Sequence, residues 1–155
     1  RDRFPGLGVQ VATASLVAWQ LWSMQWNPNR YIPTEADKAA GDAVVAQLAK
    51  VDGEVLAPWQ PWMPVQAGKK GSIALIALWD IDHQGGPLQE EANVIAQAIE
   101  DQHWAAVLTA RSELKRGLRQ HYKRTGFQQP KGRALYPRTG WRVRPHSLWI
   151  PKTED

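Results

Sequence analysis

A long stretch without any charged residue, from Phe4 to Asn29, constrains this 155-residue chain more than any other feature. About 23 residues of helix at about 1.5 Å per residue measure about 35 Å, enough to cross a hydrocarbon core of about 30 Å. Trp19, Trp22 and Trp26 recur at helical spacing near its end, where a chain leaving a bilayer carries aromatic residues. The stretch therefore predicts an apolar helix over residues 1–28 that derives from a transmembrane segment.

The flanks and the polar positions of this helix bear on its environment. Arg1 and Arg3 precede it, and because positive residues favour the cytoplasmic side, the remainder of the chain is expected outside. Gln10 and Gln20 are costly against lipid, but small neighbouring residues would let other helices approach and satisfy them, which indicates one helix of a bundle. The alternative is a soluble amphipathic helix whose polar side is formed by Gln10, Thr13, Gln20 and Ser23.

Helical and strand-like patterns alternate after residue 34. Thr34 and Asp37 have capping-box spacing and predict a helix from about Glu35 to Lys50. The runs "EVLAP" and "WAAVLTA" are typical of short buried strands, whereas "WQPWMPVQAGKKG" between them is expected to be irregular. The apolar run "SIALIALWDI" fits a strand or a helix.

Two further helices complete the expected order of elements. One begins at Pro87 and continues to about residue 101, and a basic one extends from Ser112 to Arg124 and is closed by Gly126. Short extended pieces around a turn at 139–140 are expected to follow. This order predicts an α/β fold over residues 34–155, a small three-layer sandwich with a partly parallel sheet.

Charge is distributed unevenly along the chain, and cysteine is absent, which excludes disulfides and thiolate metal sites. Residues 35–101 include eleven acidic and four basic side chains, a net charge of −7, and residues 111–144 include eleven basic and one acidic, a net charge of +10. A basic surface attracts phosphate groups of nucleic acid, lipid head groups or a lipid-linked phosphate. The alternative is a solvated face balanced by the acidic half of the same domain.

The periodicity of the basic helix indicates which of its charges point outward. Leu114, Leu118 and Tyr122 share one face and are expected to pack inward, which turns the arginines to the outside or the flanks. A strand over residues 141–144 would add two arginines on one face. Arginine suits phosphate because its planar donors bind two oxygens at once. The candidate phosphate-binding arginines are Arg116, Arg119, Arg138, Arg142 and Arg144.

Two tryptophans lie on a proline-rich segment directly after the first predicted strand. Trp59 and Trp62, in "APWQPWMP", occupy the position where α/β proteins usually place a binding crevice. Aromatic rings there would stack on a sugar or bury lipid. The alternative is that these rings pack against the basic C-terminal segment.

The segment "LWDIDHQGG" has the most enzyme-like pattern in the chain. Asp80 and Asp82 form a D-x-D pair followed by His83, and carboxylate oxygens of this kind hold Mg²⁺ or Mn²⁺ on a diphosphate. An isolated pair needs a third ligand, and no other carboxylate follows until Glu90. We therefore expect no strong metal site here and assign these residues to the turn.

A family resemblance emerges from the combined order of motifs. An apolar helix is followed by "NPNRYIPT", an amphipathic helix, a strand leading into "PWQPW", an "AGK" and an "ALWDI". The matching residues are Asn27, Pro28, Tyr31, Pro33, Thr34, Asp37, Gly41, Pro58, Pro61, Ala67, Gly68, Lys69 and Asp80. Over most of its length the chain resembles the C-terminal end of bacterial polytopic glycosyltransferases of the dolichyl-phosphate-mannose protein mannosyltransferase type, the C superfamily.

The resemblance implies that the whole protein transfers a sugar from a polyprenyl-phosphate donor on the outer face of the bacterial cell membrane. Its catalytic carboxylate would lie in an early external loop, so no catalytic residue is expected here, and whether this chain is an enzyme stays open. The chain would be the last transmembrane helix of a bundle and an extracytoplasmic domain that binds acceptor or donor phosphate. Lys69 of the G-K pair joins the candidate binding residues.

The chain departs from that family at two positions. Relatives often have histidines where Gln60 and Ser72 stand, so a histidine-based role does not transfer. The expected partners are membrane lipid or lipid-linked sugar and the rest of the bundle, with the polyprenyl-phosphate sugar as a substrate and no separate cofactor or metal. Two other interpretations remain: a membrane-tethered interaction domain without catalysis, and a soluble phosphate- or nucleic-acid-binding module, although nucleic acid is not the expected partner.

Overall fold

The structure is a computed structural model that describes residues 6–74, 77, 93–110 and 115–153. The chain divides into two compact units, Arg1–Ile32 and Pro33–Asp155. The D-x-D residues Asp80, Asp82 and His83, most of "SIALIALWDI" and the expected helix start at Pro87 lie outside the described residues.

The first unit consists of helix α1 (Leu7–Ser23) and a 3-10 turn (Pro28–Arg30). The turn begins where the Asn27 side chain accepts a hydrogen bond from the Asn29 amide (3.0 Å), and Pro28 at its first position needs no N–H partner. The Trp26 and Tyr31 rings meet edge to face, with their centroids 5.4 Å apart. The predicted helix and the proline break after it are therefore both present.

No residue of α1 is buried. Leu16 is 55% exposed, Leu21 67% and Trp22 72%, although folded proteins normally place such side chains in a core. Among the described residues, no helix combines the length and the apolar character needed to cross a membrane. A helix is thus present in this stretch, and its assignment as an apolar segment of membrane origin stays a prediction.

The second unit combines helices and strands in a mixed α/β fold. Its described helices are α2 (Glu35–Ala49), α3 (Trp62–Gln66), α4 (Asn93–Glu100) and α5 (Lys115–His121). Its described strands are β1 (Val55–Leu56), β2 (Ala106–Thr109), β3 (Tyr122–Arg124) and β4 (Ser147–Pro151). The predicted α/β class is confirmed.

The four strands form one mixed sheet in the order β1-β2-β4-β3. β1 and β2 are parallel, with Leu56 opposite Val107. β4 is antiparallel to both of its neighbours, with Ser147 opposite Thr109 and Ile150 opposite Lys123. The expected partly parallel sheet is therefore present.

Hydrophobic clusters cover both faces of this sheet because successive strand residues point to opposite sides. The first face packs against α2 and α3, and its buried residues are Val44, Leu48, Val55, Ala57, Met63, Ala106, Leu108 and Leu148. The second face packs against α4 and α5, and its buried residues are Leu56, Ile99, Trp104, Val107, Leu118, Tyr122 and Trp149. The pattern places α2 and α5 on opposite faces of the sheet.

Three local predictions differ from the structure. The segment after β1 is not wholly irregular, since α3 forms within it. The basic helix ends at His121, and residues 122–124 form β3, because they pair with β4. Residues 141–144 are not a strand, so Arg142 and Arg144 do not share a strand face.

Candidate functional site

Several segments that carry candidate residues lie together at the edge of the sheet where the two parallel strands end. Residues 57–61 follow β1 directly, and the chain enters β4 at Ser147 beside the end of β2. The His146 amide donates a hydrogen bond to the Thr109 carbonyl (2.9 Å), which fixes this approach. We call residues 57–61, 109–110 and 141–147 the carboxyl edge, the usual location of binding sites in open α/β sheets.

Two tryptophans from distant parts of the chain meet at the carboxyl edge. The rings of Trp59 and Trp141 are 5.9 Å apart at an interplanar angle of 58°, a tilted geometry typical of aromatic pairs. Trp59 is half-buried, whereas Trp141 is 62% exposed and Trp62 is 53% exposed. Trp59 thus packs against the basic C-terminal segment, as the alternative interpretation expected, while Trp141 was not singled out from the sequence.

Gln60 and Ser72 have different surroundings. The Ser72 hydroxyl accepts a hydrogen bond from the Ala57 amide (2.7 Å) and so holds the chain as it leaves β1. Gln60 is only 3% exposed, and within the described part of the chain its buried Oε1 has no hydrogen-bond partner. The hydrogen bond from Ala57 gives the Ser72 side chain a structural role. No such hydrogen bond is found for Gln60 Oε1 among the described residues.

A basic segment, residues 128–144, lies along α2 and reaches the carboxyl edge; we call it the basic strap. At one end the Gln128 amide donates to the Gln47 side chain (2.9 Å), and the Gln47 amide group donates to the Gln128 carbonyl (3.3 Å). At the other end the Leu135 amide and the Arg138 guanidinium both donate to Asp37 (2.9 and 3.2 Å). The strap is therefore fixed to both ends of α2.

Asp37 is the point where the strap and the start of α2 are joined. It is 8% exposed, and its Oδ2 accepts hydrogen bonds from the Thr34 amide (2.8 Å) and hydroxyl (2.7 Å). These bonds, with smaller contributions from the Leu135 amide and Arg138, hold the pKa of Asp37 well below its ordinary value. The predicted capping box is confirmed, and the same carboxylate also binds the strap.

Arg138 and Arg144, which were predicted to bind phosphate, contact other groups in the strap region. Arg138 pairs with Asp37. Arg144 donates to the carbonyls of Gly132 (2.8 Å) and Ala134 (3.1 Å), and its guanidinium lies 4.2 Å from the centre of the Tyr136 ring. Both side chains thus stabilise the strap. Arg142 is exposed and directly follows Trp141 in the chain, within the carboxyl edge.

The other basic candidates lie elsewhere. Lys69 donates from its Nζ to the Val51 carbonyl just after α2, so it stabilises the end of that helix. Arg119 is exposed on α5, on the opposite face of the sheet from α2 and the strap, and the backbone of Arg116 is in the same helix while its side chain is outside the described residues. The predicted arginines therefore do not form one continuous patch.

An open groove of about 580 Å³ lies near the other end of the strands. Its lining includes the apolar residues Val51, Phe127 and Ile150 and the basic residue Lys50. The Thr125 hydroxyl in its wall already donates to the Leu148 carbonyl (3.1 Å). None of the predicted binding residues whose side chains are described lines this groove, so we place the candidate site at the carboxyl edge.

Within the described residues, no three histidine, aspartate or glutamate side chains lie close enough together to hold a metal ion. Comparison with family models, with curated proteins and with solved structures found no match for this chain.

Proposed function

We propose that this chain is the C-terminal part of a polytopic bacterial membrane glycosyltransferase that transfers a sugar from a polyprenyl-phosphate donor. In this proposal α1 belongs to the last transmembrane segment of the bundle. The α/β unit lies on the extracytoplasmic side and assists in binding the donor phosphate or the acceptor at its carboxyl edge. The catalytic carboxylate belongs to a part of the protein outside this chain.

The exposure of α1 is the observation that carries the proposal. The helix has 17 residues without a charge and none of them is buried, so an aqueous environment would leave many large apolar side chains in water. Contiguous apolar surface of this kind marks contact with lipid or with other protein. At about 1.5 Å per residue α1 measures about 26 Å, most of the thickness of a hydrocarbon core.

The carboxyl edge supports the second half of the proposal. The exposed Trp141 directly precedes the exposed Arg142 in the chain, and sugar phosphates combine an apolar ring face with an anion. A guanidinium binds phosphate through paired donors. The strap that presents Trp141 and Arg142 is fixed by Asp37 and Gln47, so these groups are held in place before a ligand arrives.

Vesicle binding tests the proposal directly. We expect the chain to float with phosphatidylcholine vesicles through α1, and to bind more tightly when the vesicles contain undecaprenyl phosphate. The added affinity should fall as salt rises, because screening weakens contact between exposed charges. Arg142→Glu should remove the added affinity, whereas Lys131→Glu, the same charge change on another exposed strap residue, should preserve most of it.

The contribution of α1 has its own control. Two glutamates placed on α1, Val17→Glu with Leu21→Glu, should abolish flotation with neutral vesicles, since each charge costs several kcal/mol in hydrocarbon. Two glutamates on exposed positions of α2, Ala39→Glu with Ala46→Glu, should leave it unchanged. Flotation that survives the α1 substitutions, or none with the unaltered chain, would contradict the membrane assignment.

A further inference from the structure

The outer edge of β3 is open among the described residues. β3 is last in the strand order β1-β2-β4-β3, so β4 pairs with one of its sides and no described strand pairs with the other. After β3, the Thr125 amide donates to the Leu148 carbonyl (2.9 Å), and before it, the His121 carbonyl accepts from the Lys152 amide (2.9 Å). Because bonding alternates along an antiparallel pair, the odd-numbered residues of this segment direct their backbone groups to β4. The amide and carbonyl of Arg124 therefore point outward.

We propose that this edge binds an extended peptide segment of a partner protein in which acidic side chains alternate with apolar ones. The segment adds a strand to the sheet beside β3. This inference goes beyond the proposed function and does not depend on it, because β3 and α1 belong to different units of the chain.

The outward backbone groups of β3 select a peptide as the ligand. The Arg124 amide is a donor and its carbonyl is an acceptor, and in an antiparallel ladder the backbone of one residue on the neighbouring strand meets both. Recognition by strand addition takes its affinity from these main-chain bonds and its specificity from the side chains of the added strand.

The exposed side chains of β3 determine the charge of the segment. Lys123 and Arg124 are both exposed, and the Arg124 guanidinium lies 5.9 Å from the centre of the Trp149 ring, which belongs to the second face of the sheet. A residue directly across from Arg124 would point to the same face, where a carboxylate forms a favourable cross-strand pair. A second copy of this chain paired through β3 would bring positive charges together instead, which is unfavourable.

The open groove of about 580 Å³ borders β3 and determines the apolar positions of the segment. Its lining includes Thr125, directly after β3, and Ile150 in β4, which packs against the first face of the sheet. The residue of an added strand across from Thr125 would point to this first face, beside the groove. Lys50 and Asp52 in the lining have opposite charges, so an aliphatic side chain suits this position.

The probe is the peptide fluoresceinyl-Glu-Val-Glu-Val-Glu-Val-Glu-amide, and its binding to the full chain is measured by fluorescence anisotropy. Methylation of the backbone nitrogens of the two inner glutamates removes donors that face β3, and we expect the Kd to rise about tenfold or more. The matched control has the methyl groups on two valines, whose amides point away from β3, and its Kd should change less than about twofold. The two peptides have the same charge, so equal affinities would overturn the proposal.

Substitution of Arg124 separates the contribution of the backbone from that of the charge. Arg124→Ala removes the guanidinium and keeps the outward amide, so the Kd for the unmethylated peptide should rise about twofold to fivefold. Arg124→Pro also removes the amide hydrogen, and it should raise the Kd by about a further tenfold. Proline is tolerated at an edge position whose N–H faces outward, and melting temperatures of the two variants verify that both are folded. Equal Kd values in two folded variants would overturn strand addition.

Hydrogen exchange in the unaltered chain tests the contact without any substitution. Saturating peptide should slow exchange of the Arg124 amide about tenfold or more, because the amide becomes part of a ladder. Binding that leaves this exchange rate unchanged would show a contact with surface charge alone and overturn the proposal. Absence of binding at millimolar peptide, or dimerisation of the chain that Arg124→Pro abolishes, would also overturn it.

Discussion

At the scale of single residues, Asp37 links the start of α2 to the basic strap and makes the fold sensitive to acid. Its pKa lies below the ordinary value of 3.8 because Thr34 and Leu135 donate hydrogen bonds to the ionised form. The ionised carboxylate therefore contributes its full stabilisation above about pH 4. As the pH falls further, the unfolded chain takes up the proton first, and this stabilisation is progressively lost.

We expect Asp37→Asn to lower the free energy of unfolding at pH 7 and to reduce its loss between pH 4 and pH 2. Urea unfolding followed by tryptophan fluorescence at several pH values measures both effects. Asp42→Asn is the control, because Asp42 is exposed and pairs with Lys38 on the same helix (2.8 Å), an arrangement that contributes little. An acid response that is the same in Asp37→Asn as in the unaltered chain would contradict this account.

The sequence predicted some of these residues and missed others for a physical reason. Capping-box spacing is local, so Thr34 and Asp37 could be assigned from four consecutive positions. The pairing of Asp37 with Arg138 spans 101 residues, and no local pattern indicates it. Gln60 carried one signal, a polar residue between two prolines directly after a strand, but its burial depends on the folded domain.

At the scale of elements, helical periodicity predicted the burial of residues at the junction of α5 and β3 correctly, but it predicted their backbone conformation wrongly. Leu118 and Tyr122 were predicted to pack inward on one helix, and both are buried in the same cluster. The backbone nevertheless changes to a strand at Tyr122, because residues 122–124 pair with β4. Tertiary pairing thus overrides helix propensity while the burial pattern is kept.

The short helix α3 was missed because prolines usually end helices. Pro61 precedes the helix and Pro64 is its third residue, and the first turn of a helix does not need its N–H groups for internal bonding. Prolines at these positions are therefore compatible with a helix start. The turn that α3 forms is what places Trp62 at the surface and Met63 in the core.

The hydroxyl of Tyr122 connects the α5–β3 junction to the segment that enters β2. It donates to the Trp104 carbonyl (3.0 Å) and accepts from the Trp104 amide (3.3 Å). Tyr122→Phe leaves both buried groups unpaired, and we expect a loss of about 1–3 kcal/mol in the free energy of unfolding. Tyr136→Phe, at a partly exposed ring, should change it by less than about 0.5 kcal/mol. Urea denaturation of the two variants measures the difference, and equal losses would contradict the assigned role.

At the scale of the whole molecule, the charge distribution predicted a basic surface, and the fold divides it. Arg119 and the strap lie on opposite faces of the sheet, and Arg138 and Arg144 hold the strap rather than stand free. Counting charges along a sequence gives their sum, whereas the face that each occupies depends on strand order and loop path. The α/β class was predictable because alternating patterns are local.

The membrane assignment of α1 is the central claim, and site-directed spin labelling tests it without background because the chain contains no cysteine. Nitroxides would be attached at Ser15→Cys in the middle of α1, Ser23→Cys at its end, and Ala39→Cys on exposed α2. The first two positions are eight residues apart in the sequence, which corresponds to about 12 Å along the helix.

Accessibility of each label to oxygen and to a polar nickel complex, measured by electron paramagnetic resonance in vesicles, reports its depth. We predict that the label at residue 15 is accessible to oxygen and shielded from nickel, that the label at residue 23 lies up to about 12 Å shallower, and that the label at residue 39 is accessible to nickel. Equal depths at residues 15 and 23, or nickel access at residue 15 equal to that at residue 39, would contradict the assignment of α1 to a transmembrane segment.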